Sequence, residues 1–203
     1  MTTVLLSRIL PNEISEYIIK LSIHVFENGE GLKRAVDEWC EDKREAFKKY
    51  GDIKYWNTSE ITDMSNLFYE KDEFNDDISR WDVSKVENMK NMFYEASSFN
   101  QPLNDWNVSK VINMSFMFCD ASSFDRPLDD WNVPNVENMD YMFFNASSFN
   151  QPLNKWNVSN VRDMSFMFYR ASSLNQPLNK WNVSNVTNMD QMFDKSGMGV
   201  LPP

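Results

Sequence analysis

The chain has 203 residues, a formal net charge of −10, one histidine and two cysteines. An acidic balance repels phosphate backbones and argues against a nucleic-acid partner. Cys40 and Cys119 stand in unlike contexts, which suggests neither a disulfide framework nor a metal site.

The first residues, Met1 to Arg8, contain no basic run and only a short apolar one, Val4-Leu5-Leu6. They do not read as a signal peptide, and an intracellular protein is expected. No apolar stretch approaches the roughly 18 residues of a spanning helix, so no membrane span is expected. From Pro11, the spacing of Ile14, Tyr17, Ile18 and Leu21 predicts an amphipathic helix. His24 is placed in this helix, as a surface or cap residue rather than a general base. Gly29 and Gly31 break the pattern. A second helix is predicted from Leu32 to Tyr50, with Ala35, Trp39 and Phe47 on one side and Gly51 as its stop. Residues 1–55 are read as a helical N-terminal cap, because the open end of a repeat stack must be covered. The alternative rests on Leu10-Pro11-x-Glu13-Ile14, which resembles the opening of an F-box. Its signature residues here are Leu10, Pro11, Ile14 and Trp39, and the resemblance implies a substrate adaptor of a ubiquitin ligase.

From residue 56 onward one feature dominates. Trp56, Trp81, Trp106, Trp131, Trp156 and Trp181 stand 25 residues apart without insertion or deletion. A fixed period of this size marks a repeat architecture. Five units are complete, and a sixth begins at Trp181. In the fourth unit the recurring apolar positions are Trp131, Val133, Val136, Met139, Met142, Phe143, Ala146, Phe149 and Leu153. Spacings of three and four between Val136 and Ala146 predict a short helix. The proline-containing stretch from Phe149 to Trp156 predicts a short extended segment. The expected fold is therefore an α/β solenoid, a right-handed leucine-rich-repeat-like coil of one short strand and one short helix per 25 residues. The domains are residues 1–55 and 56–203. Stacked asparagines such as Asn107, Asn132, Asn157 and Asn182 are expected to bond along the stack and satisfy turn backbones.

The string Trp-Asn/Asp-Val-Ser-Asn/Lys-Val-x-x-Met-x-x-Met-Phe-x-x-Ala-Ser-Ser-Phe-Asn-Gln-Pro-Leu-Asn resembles the BspA-like leucine-rich-repeat family, in the 25-residue form of mycoplasma lipoproteins and bacterial surface proteins. The first unit departs from it, with Asp76-Asp77-Ile78 in place of the proline-containing closure. The resemblance implies adhesion or protein–protein binding and carries over no catalytic residue. Bacterial surface members are exported. The N-terminus here points instead to an intracellular, viral or microbial-eukaryotic member.

No catalytic, cofactor-binding or metal-binding set is predicted. With one histidine, no Ser-His-Asp set can be assembled. Asp76-Asp77 and Asp129-Asp130 fit no calcium loop and read as solvated loop carboxylates. With the tryptophan as position 1, positions 11 and 14 vary and are rich in aromatics. On a regular helix they lie off the core arc. Tyr69, Tyr94, Phe116, Tyr141, Phe144, Phe166 and Tyr169 are therefore the candidate partner-binding residues. Packing between coils is the competing role. The chain closes soon after the sixth unit, and homodimerisation through that end is expected. The function expected is a non-enzymatic scaffold for a protein partner. A self-associating structural or virion protein is a further alternative.

Overall fold

A computed structural model describes residues 24–198. Helix α1 spans Gly29–Glu41 and helix α2 spans Lys43–Tyr50. The single helix expected over 32–50 is split at Asp42. Its backbone is extended at φ −143°, and its carboxylate accepts from the N–H groups of Arg44 and Glu45, capping α2. The helix expected from Pro11 lies outside the described residues. His24 is not helical. It belongs to a short extended segment in which Val25 pairs in parallel with Asn57.

Downstream of a 3₁₀ turn at Ile53–Tyr55, the five complete 25-residue units and the partial sixth stack as coils, numbered 1–6 from their tryptophans. The α/β solenoid expectation is corrected here. Among the described residues the coils hold no helix and no strand of more than one residue. Adjacent coils are tied by isolated parallel bridges along Asp63, Asn88, Asn113, Asn138, Asp163 and Asn188.

The backbone shows why no repeat helix forms. Positions 11 and 15 of every coil have positive φ, as at Asn66 (57°) and Glu70 (57°) or Tyr141 (56°) and Asn145 (53°). A right-handed helix cannot pass through a left-handed residue. Overlapping turns form instead: Leu67 donates to Met64 O, Tyr69 to Asn66 O and Lys71 to Phe68 O. The intervening N–H groups leave the coil. Those of Met64, Asn66, Phe68 and Glu70 donate to the carbonyls of Asn88, Lys90, Met92 and Tyr94 at 2.8–2.9 Å. The same four bonds, all pointing toward the C-terminal end, recur at each of the five coil junctions. The 3- and 4-residue apolar spacing that resembled a helix is the spacing of this turn ladder.

The core is a set of aromatic columns. Phe68, Phe93, Phe118, Phe143, Phe168 and Phe193 stack at 5.3–5.7 Å. Beside them Phe74, Phe99, Phe124 and Phe149 stack at 5.8–6.1 Å. The tryptophans are buried through Trp156. Each indole from Trp81 onward donates to the backbone carbonyl 28 residues earlier, as Trp131 does to Leu103 O at 2.8 Å. A buried donor without such a partner costs about 1–3 kcal/mol, which explains why this column tolerates a polar ring.

Of the two roles expected of the asparagines that follow the tryptophans, satisfying turn backbones is the one found. Asn107, Asn157 and Asn182 accept from the serine N–H two residues on, so they close local turns. The ladder lies at position 20, where Asn100 N–H bonds Asn75, Asp125 bonds Asn100, Asn150 bonds Asp125 and Asn175 bonds Asn150 at 2.9–3.1 Å. Helix α1 covers coil 1 with Leu32, Ala35, Val36 and Trp39, all buried. At the other end Trp181, Val186, Met189 and Phe193 are only partly buried and Val183 is exposed.

Candidate functional site: an aromatic stripe on one side of the coils

The seven candidate aromatics come together. Tyr69 stacks on Tyr94 (4.8 Å), Phe116 on Tyr141 (4.5 Å), Tyr141 on Phe166 (4.6 Å) and Phe144 on Tyr169 (5.1 Å). Tilted contacts between positions 11 and 14 join these stacks: Tyr94–Phe116, Tyr141–Phe144 and Phe166–Tyr169 at 5.4–6.5 Å. One continuous stripe results, and every ring in it is half-buried. The rings pack between coils, which was the competing role, and they also reach solvent.

The rings lie off the core for a different reason from the helical angle that located them. Position 11 is the third residue of a tight turn with positive φ, a place that favours glycine or asparagine. Asn66 and Asn91 suit it, and their amides bond each other at 2.9 Å. Phe116 (59°), Tyr141 (56°) and Phe166 (55°) do not. A bulky residue in this conformation is an outlier and costs about 1–2 kcal/mol.

Because the rings stack along the coil axis with interplanar angles of 6–14°, they turn their edges outward. A sugar or base needs an exposed ring face. Edges suit the side chains of a protein.

Position 15 borders the stripe and was missed in the sequence. It reads Glu70, Glu95, Asp120, Asn145, Arg170, Lys195, changing from acid to base along the stack. Reading this position across the repeats would have found it. Four of these side chains, Glu70, Glu95, Arg170 and Lys195, act on the rings, while Asn145 donates to Asp120. A hydrogen bond to Glu70 raises the Tyr69 pKa, and burial together with Glu95 pushes Tyr94 up to about 12. Lys195 donates to the Tyr169 hydroxyl at 2.8 Å and holds its pKa down, while the Arg170 guanidinium lies 5.5 Å from that ring. Cys119 takes the aromatic's place at position 14 of coil 3. It is buried, and burial pushes its thiol well up.

The remaining candidates are accounted for. Asp76 accepts from Trp39 Nε1 and Lys43, Asp77 pairs with Lys54, and Lys155 bridges Asp129 and Asp130, so these acids are ion-paired rather than merely solvated. Trp39 is buried against Trp56 as part of the cap. Leu10, Pro11 and Ile14 lie outside the described residues. Among the described residues no group of histidine, cysteine and carboxylate side chains is placed to hold a metal, and no helix is long and apolar enough to cross a membrane.

Stacked 25-residue coils with a helical cap and a lateral aromatic stripe define a repeat protein built on inter-coil turns. Residues 38–149 and 108–198 both match the family model described as "Mycoplasma protein of unknown function, DUF285", and the chain belongs to that family. No curated protein and no solved structure gives a significant match.

Proposed function

We propose that the chain is a non-enzymatic scaffold that binds a protein partner through the aromatic stripe. The observation that carries this reading is the placement of Phe116, Tyr141 and Phe166 at positive φ, half-buried and in reach of solvent. Asn66 and Asn91 show what the same turn takes when only the turn has to be made. Backbone strain retained on a half-buried aromatic stripe that reaches solvent favours a role in recognition over one in stability. The resemblance of the repeat to BspA-like surface proteins, which implies adhesion or protein binding, supports the same reading.

The F-box-like alternative gains nothing from Trp39, whose ring packs on Trp56 and whose N–H donates to Asp76, both in coil 1. The test is capture of a partner by the full chain and by a variant carrying Phe116→Asn, Tyr141→Asn and Phe166→Asn. The scaffold reading expects capture to be lost in the variant while the fold persists. Equal capture by both proteins would remove the stripe from the function.

A further inference from the structure

The order of charges at position 15 points to a specific partner. Glu70, Glu95 and Asp120 occupy the first three coils, Asn145 the fourth, and Arg170 and Lys195 the last two. The contacts of Glu70 with Tyr69, of Glu95 with Tyr94, and of Arg170 and Lys195 with Tyr169 place these four on the same face as the rings, and Asn145 donates to Asp120 between them. We infer that this face pairs with the same face of a second copy of the chain, with the two stacks antiparallel. The inference rests on the stripe being a protein-binding surface and names the protein.

The geometry follows from symmetry. A two-fold axis running across the stripe between coils 3 and 4 reverses the stack direction but leaves each column opposite itself. Glu70 then faces Lys195 of the second copy, Glu95 faces Arg170 and Asp120 faces Asn145. All four acid–base pairings of the dimer are satisfied, and no like charges meet along the column. The parallel arrangement, with the axis along the stack, sets acid beside acid and base beside base.

Nearest the axis lie Phe116 and Tyr141, with Cys119 opposite Phe144. The rings at the centre of the contact are apolar, with Asp120 facing the Asn145 amide beside them, and the acid–base pairs lie at the two ends. Position 10 adds no repulsion, since Lys90 falls opposite Ser165 and Asp140 opposite Ser115. Six coils at a spacing of about 4.8 Å give a short face, so a weak, salt-sensitive dimer is expected.

Sedimentation velocity of the full chain over a range of concentrations tests this. Two variants are compared with it, Glu70→Lys/Glu95→Lys and Arg170→Glu/Lys195→Glu. The wild type should dimerise with rising protein concentration, and each variant alone should lose at least about tenfold in affinity. An equimolar mixture of the two variants should recover association, because each supplies the charges the other lacks at both ends. Recovery in the mixture is an outcome that misfolding of either variant cannot imitate.

A wild type that stays monomeric at every concentration would overturn the inference. It would leave the stripe open to a different protein, which the capture experiment reads separately. A dimer that survives both charge reversals but is lost with Val183→Glu at the last coil would also overturn it, assigning self-association to the end of the stack.

Discussion

Replacing Phe116, Tyr141 and Phe166 together by asparagine extends the Asn66–Asn91 column through coils 3 to 5. Two ring stacks, at 4.5 and 4.6 Å, are lost, worth about 0.5–1.5 kcal/mol each. The half-buried rings also give up on the order of 100 Å² of apolar contact each, or about 2.5 kcal/mol per ring. Against this, relief at three left-handed positions returns about 1–2 kcal/mol each. New amide–amide bonds like that between Asn91 and Asn66 add about 0.5–1.5 kcal/mol each. At the midpoints of these ranges the net cost is about 2 kcal/mol for all three changes, within a span of about −2 to 6 kcal/mol. The control is the neighbouring column: Phe118, Phe143 and Phe168 are fully buried, and truncating each to alanine costs about 3–5 kcal/mol. Their combined loss reaches the whole stability of an ordinary domain, about 5–15 kcal/mol. Urea unfolding followed by tryptophan fluorescence measures both. A stripe variant as unstable as the core variant would refute the account of strain at position 11.

Other outcomes follow from the stacking. Phe143→Ala removes a ring stacked on both sides and should cost about 3–5 kcal/mol, whereas Phe193→Ala, stacked only on Phe168 and partly exposed, should cost about half as much; denaturant midpoints compare them. Burial raises the Asp77 carboxyl, but the Lys54 ammonium and the Ser79 donors outweigh it and hold the group at about 2. Its folded pKa is depressed, so its contribution is present above the ordinary carboxylate value and is lost as pH falls from about 4 toward 2. Asp77→Asn should flatten that part of an acid-unfolding curve. At the alkaline end Tyr94, raised to about 12, stays protonated in the fold after an unfolded chain has released its proton. Its contribution is intact below about pH 10 and declines between 10 and 12, and Tyr94→Phe should lessen the decline in thermal midpoint over that window.

The period, the core positions and the candidate aromatics were legible in the sequence because burial repeats with the coil. Trp131, Val133, Val136, Met139, Met142, Phe143, Ala146, Phe149 and Leu153 are all buried. The local backbone was not. Apolar spacings of three and four arise from an α-helix or from consecutive turns, and pattern alone does not separate them. The distinguishing signal was Asn66 and Asn91, residues that favour left-handed backbone. Phe116, Tyr141 and Phe166 masked it by occupying the same place against their preference. Asp42 similarly hid a helix break inside an amphipathic run, because a capping carboxylate and a surface carboxylate read alike. The charge order at position 15 was visible only by comparing coils at one position, since within any single repeat it is an ordinary polar residue.

Hydroxyl-radical footprinting of the full chain, free and in its complex, asks most directly which surface is used. The account predicts protection of Tyr69, Tyr94, Tyr141, Phe144, Phe166 and Tyr169, with the exposed Val183 at the last coil unchanged. Protection confined to Trp181, Val183 and Met189, with the stripe as reactive as in the free protein, would contradict it.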